Sequence, residues 1–280
     1  MSDGERNPDN YCYRHPERES YVLCQRCGRT ICSQCQTQAA VGVHCPECVR
    51  EAKGRAPKRK PAIVTAFRRG STKPVVTYTI MAVTFFVYIL QILLPDVVLQ
   101  NFAYAPSFFP EEPWRMITAA FLHTPFVGPF SLTHIAFNMY ALFAFGPALE
   151  HILGRIRFLA LYLIAAFGGS VAVLLLDPAS VVVGASGAIF GLFGAYFVIE
   201  RGRGGNATQL VILIALNFAI GFFLPNVSWE GHLGGLLAGA AVGFVYLKTR
   251  RPNQVGWQIA FIAAVVAVLV AITAVASALL

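Results

Sequence analysis

The sequence predicts an all-α polytopic membrane protein, a bundle of seven transmembrane helices preceded by a small cysteine-rich unit. Of the 280 residues, 56% are hydrophobic and only 13% are charged, a composition too apolar for a soluble domain of this size. All seven cysteines lie within the first 50 residues. Beyond residue 74 the chain divides into seven apolar segments, each near the length of about 20 residues that crosses a bilayer.

The apolar segments can be delimited one by one. The predicted spans are residues 75–94, 132–150, 158–176, 184–200, 208–224, 231–247 and 257–279. The fourth and sixth are short and rich in glycine. The loop of residues 95–131, between the first two spans, is long and carries aromatic residues and prolines but a single arginine.

The basic residues predict the orientation of these spans. Nine of the 22 Lys and Arg residues lie between Arg50 and Lys73, directly before the first span. With a cytoplasmic N-terminus, the inner segments carry 16 Lys and Arg residues and the outer loops carry Arg115 alone. This asymmetry follows the positive-inside rule and predicts a multi-pass protein of the cell membrane with its C-terminus outside. A nucleic-acid-binding arm is the weaker interpretation of the basic stretch, and we expect no nucleic acid as a partner.

The cysteine-rich unit contains four pairs of residues that commonly bind metals. The pairs are Cys12 with His15, Cys24 with Cys27, Cys32 with Cys35, and Cys45 with Cys48. Two intervening residues let both members of a pair reach one ion, and eight ligands suffice for two tetrahedral zinc ions. About fifty residues cannot bury a large core, so the metal would supply stability. Disulfides are a weaker alternative, because the cysteines are odd in number and no export signal is apparent.

The order and spacing of these pairs resemble a B-box-like zinc module. The resemblance implies that the first and third pairs share one structural ion and that the second and fourth pairs share the other. His44 is an alternative ligand to Cys45, which is favoured because it completes a Cys-Pro-Glu-Cys knuckle. Docking of a cytosolic partner is one candidate role for this unit.

Four regions follow from these patterns. Residues 1–50 are predicted to be the zinc-binding unit and residues 51–73 a basic cytoplasmic linker. Residues 74–250 form a core of six spans, and residues 251–280 form an additional C-terminal span. Pro, Gly and charge repulsion argue against compact structure in the linker, which we expect to lie along anionic headgroups of the bilayer.

Four polar side chains lie near the outer ends of three predicted spans. Ser186 belongs to a Gly-Ala-Ser-Gly stretch at the start of the fourth span, and His232 lies near the start of the sixth. His134 and Asn138 are four residues apart in the second span, so they share one helix face. Each has a structural explanation when taken singly, such as close helix packing. Together, at one depth, they predict a polar cavity.

In combination these residues resemble the rhomboid family of intramembrane serine proteases. The resemblance covers about residues 75–250, and the seventh span resembles the six-plus-one variant of that fold. A zinc-binding unit before the first span is similar to that of some bacterial members. The resemblance is carried by Ser186 in GASG, His134 and Asn138 in HxxxN, the pair Trp114–Arg115, and His232 followed by Gly235 and Gly239.

The chemical requirements of amide-bond hydrolysis are compatible with this resemblance. A serine hydroxyl needs a general base, and His232 can serve Ser186 as a catalytic dyad without a cofactor. The carboxylates Asp177 and Glu230 are interpreted as charges at the outer edge. The resemblance implies that His134, Asn138 and the backbone N–H of Ser186 form the oxyanion hole, and that the substrates are single-span membrane proteins.

The remaining motif residues have structural roles in this interpretation. Gly184 and Gly187 free the backbone around Ser186, and Phe190 stacks on His232 from four residues further along the same face. Gly235 and Gly239 let the sixth span pack closely on the fourth. Trp114 and Arg115 hold the first loop at the membrane interface.

Two other classes of function compete with proteolysis. One is a catalytically inactive relative that binds or escorts membrane helices. The other is a transporter or a membrane-tethered zinc adaptor. A transporter favours polar groups at mid-membrane depth, whereas here they cluster at one end of the spans.

Overall fold

The computed structural model describes residues 7–39, 41–55, 73–124, 131–223 and 227–279. The chain divides into two compact units, residues 1–71 and 72–280. Most of the predicted linker, residues 56–72, lies outside the described residues.

The N-terminal unit is built from short strands around its cysteines. Strand β1 (Tyr11–Cys12) pairs antiparallel with β2 (His15–Glu19), and β3 (Thr37–Gln38) pairs antiparallel with β4 (Val43–His44). Helix α1 (Pro46–Arg55) follows. The interior consists of Ile31 and six buried cysteines, which occupy the place that apolar side chains fill in a larger domain. Cysteine side chains therefore form most of the core of this unit.

The end of α1 corrects one predicted boundary. The linker was expected to begin at residue 51 without compact structure, but the helix continues to Arg55. Pro46 presets the first helical turn, Glu47 suits the positive helix N-terminus, and Glu51, Ala52 and Lys53 are good helix formers. Local helix propensity thus outweighs the charge repulsion on which the prediction relied.

The second unit is helical in all its long elements. In chain order its helices are α2 (Val75–Leu93), α3 (Pro95–Phe102), α4 (Arg115–Thr118), α5 (Ser131–Leu153), α6 (Arg155–Leu176), α7 (Ser186–Gly202), α8 (Thr208–Phe223), α9 (Trp229–Lys248) and α10 (Val255–Ser277). The seven longest correspond to the seven predicted spans, and their ends agree within three residues.

Length and composition support a polytopic membrane protein. Five of the described helices, α2, α5, α6, α9 and α10, are long and apolar enough to cross a bilayer. Helix α8 is apolar but has only 16 residues, and α7 has 17. The predicted fold class, a helical polytopic membrane protein, is confirmed.

Helix α7 lies at the centre of the second unit. Its most extensive partner is α9, followed by α6, and α10 packs on α6 and α9. Glycines line the α7–α9 contact: a Cβ on Gly235 would overlap the carbonyl oxygen of Gly187, and a Cβ on Gly239 would overlap the backbone of Gly191. The two helices therefore touch backbone to backbone, as the glycine spacing predicted.

A buried carboxylate joins the first long helix to the second. Glu150 of α5 accepts hydrogen bonds from the backbone N–H groups of Val76 (3.0 Å) and Thr77 (2.8 Å), and from the Thr77 hydroxyl (2.7 Å). The carboxylate thus pairs amides in the first turn of α2, where the helix itself offers no partner and where negative charge is favoured.

The loop between α2 and α5 is held by Arg115. Its guanidinium contacts the Glu112 carboxylate and the backbone oxygens of Gln100 and Ala103, the last at 2.9 Å, and it lies 4.2 Å from the Phe108 ring centre. The neighbouring indole of Trp114 donates to the Asn101 carbonyl oxygen at 3.3 Å. These contacts agree with the structural role expected for the Trp-Arg pair.

The glycine contact between α7 and α9 predicts the effect of one substitution. Gly239→Val would place a branched side chain against the backbone of Gly191, and backbone cannot move aside as a flexible side chain can. Overpacking of this kind destabilises by about 1–3 kcal/mol. We expect a lower thermal unfolding midpoint for the detergent-solubilised full chain.

The matched control is Gly256→Val in α10, where a Cβ would meet no atom within 4 Å. We expect this control to unfold at nearly the wild-type temperature. Equal midpoints for Gly239→Val and the wild type would contradict the backbone contact.

Candidate active site and metal clusters

Ser186 is the first residue of α7 and is partly exposed. The chain before it is fixed to the first loop: Val182 and Tyr104 exchange two backbone hydrogen bonds (3.1 and 2.7 Å), and the Gly184 N–H donates to the Ala119 oxygen at 2.9 Å. Gly184 has φ 134°, a conformation that side chains disfavour. The loop held by Arg115 therefore fixes the position of the serine.

Backbone donors surround the Ser186 hydroxyl. The first hydrogen bond of the α7 turn runs from the Ile189 N–H to the Ala185 oxygen at 3.0 Å. The N–H groups of Ser186, Gly187 and Ala188 precede it, and such first-turn amides have no partner within the helix. The start of α7 can therefore bind developing negative charge.

His134 of α5 lies next to Gly184 and Ser186. A Cβ on Gly184 would be 2.9 Å from His134 Nε2 and 3.7 Å from Ser186 Oγ. Both atoms thus lie within 4 Å of one point, which is vacant only because residue 184 is glycine. Any side chain there would separate the imidazole from the hydroxyl.

The hydrogen bonds of His134 define which ring nitrogen carries the proton. The Thr124 hydroxyl lies 2.9 Å from His134 Nδ1, and the Thr124 backbone N–H donates to the same nitrogen at 3.4 Å. A backbone N–H can only donate, so Nδ1 acts as an acceptor and the neutral ring carries its proton on Nε2. That N–H faces the region between Gly184 and Ser186, where an oxyanion donor is needed.

Asn138 lies one turn further along α5. Its side-chain amide donates to the backbone oxygen of His134 at 2.8 Å, and its side chain is buried. This bond uses one of the two amide hydrogens, so the second can serve another acceptor. The structure places Asn138 beside His134, as their four-residue spacing predicted.

His232 of α9 is held between aromatic rings and is buried. Phe190 of α7 stacks on it with ring centres 4.2 Å apart and planes 8° from parallel. Phe218 of α8 approaches its edge at 6.5 Å. Nδ1 is buried without a hydrogen-bond partner, and a Cβ on Gly221 would lie 3.3 Å from it. The predicted stacking of Phe190 on His232 is thus present in the structure.

No hydrogen bond joins Ser186 to His232 in the part of the chain that the structure describes. The two residues nonetheless occupy facing ends of α7 and α9, which touch through Gly187 and Gly235. Catalytic hydrogen bonds are often long in the absence of substrate and tighten only in its complex. The expected dyad contact therefore requires a rearrangement of one or both side chains.

The carboxylates of Asp177 and Glu230 are bonded to groups other than the His232 imidazole, or to none that the structure describes. Glu230 accepts a hydrogen bond from the Ser228 hydroxyl at 3.0 Å, and Asp177 caps the end of α6. Among the described residues, no carboxylate is hydrogen-bonded to His232. Only stacking and helix packing orient its ring.

Sequence reasoning missed two residues of this site. Thr124 follows His123 in a stretch without helical periodicity, so its position beside His134 depends on how the first loop folds. Phe218 lies in α8, an apolar helix in which every aromatic residue could equally face lipid. The proximity of Thr124 to His134 in the sequence was a weak signal for Thr124, and the sequence offered none for Phe218.

The N-terminal unit brings its ligand residues into two separate clusters. One contains Cys12, His15, Cys32 and Cys35, and the other contains Cys24, Cys27, Cys45 and Cys48. Within each cluster the ligand atoms all lie within 4.8 Å of one another. These are the two sets that the B-box-like resemblance implied, with Cys45 rather than His44 in the second set.

Distances within the clusters fit a tetrahedral metal site. His15 Nδ1 lies 3.8 Å from the Cys12 sulfur and 3.4 Å from the sulfurs of Cys32 and Cys35, and the sulfurs of Cys27 and Cys45 are 3.7 Å apart. Zinc–ligand bonds of about 2.0–2.3 Å at tetrahedral angles give ligand separations of about 3.5–3.8 Å. The residues present therefore fit such an ion.

In the first cluster, ionisation of one cysteine thiol makes ionisation of its neighbours less favourable. Burial raises the pKa of the Cys12 thiol, but hydrogen bonds from backbone N–H groups and from His15 outweigh it and lower the pKa to about 6. Burial and the neighbouring Cys12 and Cys32 sulfurs raise the pKa of Cys35 to about 11. A cation bound among the sulfurs would remove this conflict by stabilising every thiolate.

Comparison with known proteins places the second unit in a protein family. A family model described as Rhomboid domain matches residues 110–249. The chain is 39% identical over 154 residues to RHOMBOID-like protein 6, mitochondrial, of Arabidopsis thaliana. It is 37% identical over 145 residues to the Putative rhomboid protease YdcA and 36% identical over 133 residues to the Rhomboid protease GluP, both of Bacillus subtilis (strain 168).

These matches cover parts of the proteins compared. They span 52% of this chain and 47% of the Arabidopsis protein, 50% of this chain and 70% of YdcA, and 46% of this chain and 25% of GluP. The chain thus spans about half the length of the Arabidopsis relative.

The two clusters predict the metal content of substituted chains. We expect about two divalent metal ions per chain in the wild type, measured by elemental analysis of the purified full chain. Cys45→Ser removes one of four ligands and is expected to reduce the content to about one ion, since the remaining three leave a weakened site. His44→Gln is the control and should keep both ions. Retention of two ions in Cys45→Ser with loss of one in His44→Gln would contradict the assignment.

Proposed function

The chain belongs to the rhomboid family, and we propose that it is an intramembrane serine endopeptidase in which Ser186 and His232 form the catalytic dyad. The proposal is supported at family level by relatives named as rhomboid proteases. The single observation that carries it is the convergence of Ser186, His134 and His232 at the first turn of α7.

The dyad accounts for the proton transfers of amide hydrolysis. The Ser186 oxygen attacks the scissile carbonyl carbon while His232 Nε2 takes the hydroxyl proton. As the tetrahedral intermediate collapses, the C–N bond breaks and His232 returns that proton to the leaving amine. A water then attacks the acyl-enzyme and gives a proton to His232. The bond between the acyl carbon and the Ser186 oxygen breaks, and His232 passes that proton to the serine oxygen, which releases the acid and restores the hydroxyl. No cofactor takes part in these steps.

The oxyanion is stabilised by donors fixed before substrate binds. The Ser186 N–H at the start of α7 and the Nε2–H of His134 both face the space next to the serine hydroxyl. Asn138 supplies a further amide hydrogen from the same side. Loss of one such donor lowers the rate by about 10²–10³.

The substrates we propose are the transmembrane segments of single-span membrane proteins. The backbone groups of a membrane helix are all paired internally, so the segment must unwind before its carbonyl can reach Ser186. Helix-weakening residues beyond small residues at the cleavage site would favour this step. The basic ends of the spans support a cytoplasmic N-terminus and an external C-terminus in the cell membrane.

In the N-terminal unit we assign the two clusters to structural zinc ions. Three thiolates with one imidazole, and four thiolates, are the usual ligand sets of closed zinc sites. Bound zinc would hold the short strands together where the unit has little apolar core. The partner that this unit would bind is a cytosolic protein.

A second candidate function is an inactive rhomboid-like protein that binds or escorts membrane helices. The missing hydrogen bond between Ser186 and His232 in the described residues favours this alternative. Both functions require binding of a membrane helix, but only the protease requires the serine hydroxyl.

Substitution of the serine separates the two functions. Ser186→Ala removes the nucleophile, so we expect no cleavage of a model single-span substrate by the detergent-solubilised chain, with substrate binding retained. The control Ser180→Ala, whose hydroxyl bonds the Asp177 oxygen, should cleave at the wild-type rate. A wild-type chain that binds the substrate without cleaving it would establish the escort function instead.

Thr124 is predicted to act through His134. Thr124→Val keeps the side-chain shape but loses the hydroxyl that bonds Nδ1, so only the longer bond from the Thr124 backbone N–H still favours the proton on His134 Nε2. We expect kcat to fall about tenfold, less than the 10²–10³ for loss of the whole donor, with KM nearly unchanged. Thr124→Ser restores the hydroxyl and should recover kcat. Equal rates for Thr124→Val and Thr124→Ser would contradict this role.

A further inference from the structure

The described helix ends opposite Ser186 enclose a cavity that the proposed protease does not use. It lies where α5, α7 and α9 end and α6 begins, and has a volume of about 60 Å³, more than the 10–15 Å³ that one water needs. Its lining residues are Ile152, Leu153, Arg157, Ile199, Arg203, Tyr246, Leu247 and Arg250.

Three arginines converge on this cavity without acidic partners. Among the described residues, none of Arg157, Arg203 and Arg250 forms a salt bridge. Glu150, the acidic residue nearest in sequence to Arg157, binds the start of α2 instead. Glu200, one turn before Arg203, places its carboxylate beside Gly205. Among the described residues no carboxylate lies within 4.0 Å of these three guanidinium groups, so positive charge is concentrated at the cavity.

The cavity is held in shape by the packing around it. The Arg157 Nε donates to Gln258 of α10 at 2.7 Å, and the Tyr246 hydroxyl donates to the Arg157 backbone oxygen at 3.2 Å. A Cβ on Gly202 would overlap the Leu247 side chain, so α7 and α9 end in close contact. Arg157 is thus positioned before any ligand binds, and among the described residues its two terminal nitrogens form no hydrogen bond or salt bridge.

The residues that line the cavity favour an anionic group that is linked to an apolar chain. Guanidinium groups match phosphate oxygens in bidentate geometry. Four of the eight lining residues are aliphatic, and these surfaces gain nothing from a free inorganic anion. The cavity also lies at the ends of helices of bilayer length, where lipid headgroups lie.

We propose that this cavity binds the phosphate headgroup of an anionic phospholipid, with Arg157, Arg203 and Arg250 as its ligands. The positive-inside rule assigns this end of the helices to the cytoplasmic leaflet, in which anionic lipids are available. The site is independent of the proposed proteolysis, because it lies at the other end of α7 from Ser186.

Lipid binding to the purified full chain tests the site. The probes are nanodiscs of phosphatidylcholine with increasing phosphatidylglycerol, and the readout is retained phosphatidylglycerol measured by native mass spectrometry. Arg203→Gln with Arg250→Gln removes two ligands and leaves Arg157 to bond Gln258. We expect affinity for phosphatidylglycerol to fall about tenfold to thirtyfold, because direct charge-assisted hydrogen bonds to the phosphate are lost.

The control is Arg201→Gln with Arg251→Gln, which removes the same charge from the same helix ends outside the cavity lining. We expect it to retain phosphatidylglycerol as the wild type does. An equal loss in both double variants would overturn the proposal, because the arginines would then act only through general surface charge.

Two further arms complete the test. Inorganic phosphate at millimolar concentration should not displace phosphatidylglycerol; full displacement would overturn the lipid assignment in favour of a small-anion site. If Arg203→Gln with Arg250→Gln does not fold, Arg203→Lys with Arg250→Lys keeps the charge but loses the bidentate fork. Undiminished affinity in that variant would also overturn the proposal.

Discussion

The backbone contact between α7 and α9 is the constraint on which the remaining structure depends. Gly187 meets Gly235, and Gly191 meets Gly239, at distances that exclude a Cβ. This contact brings the stacked pair Phe190 and His232 to the first turn of α7, which is where the serine begins the helix. In a bilayer, where burial of apolar surface adds little to helix association, such close packing is a principal source of stability. The small residues thus determine both the fold and the geometry of the site.

The first loop provides the second half of the site. Arg115 binds backbone oxygens on one side of this loop, while Ala119 accepts the Gly184 N–H and Thr124 bonds His134. Ser186, the His134 imidazole and the segment before α7 are therefore all positioned by one loop. A charged residue with no chemical role in proteolysis can in this way affect the rate, because it positions donors that must be accurate to within a fraction of an ångström.

The sequence predicted the spans, the glycine contact and the four ligand pairs, since each depends on spacing within a helix or a knuckle, and the B-box-like resemblance implied how the pairs combine into two clusters. The sequence did not predict the contacts that depend on tertiary structure. Thr124 reaches His134 only through the folded loop, and Phe218 faces His232 rather than lipid only because α8 packs on α7. Residues 51–55 were expected to lack compact structure because of the positive charge of the linker, but their helix propensity extends α1 to Arg55. The cavity between Arg157, Arg203 and Arg250 joins residues from the start of α6 and from the segments after α7 and α9, and in the sequence these arginines indicate only the orientation of the spans.

Covalent labelling of the serine tests the central claim most directly. A fluorophosphonate reacts with a serine hydroxyl only when a neighbouring base activates it. The account predicts that the probe labels the wild-type chain at the peptide containing Ser186, and that His232→Asn abolishes the labelling while the protein stays folded. Wild-type labelling that persists unchanged in His232→Asn, or a wild-type Ser186 that never reacts, would contradict a Ser186–His232 dyad at the contact of α7 and α9.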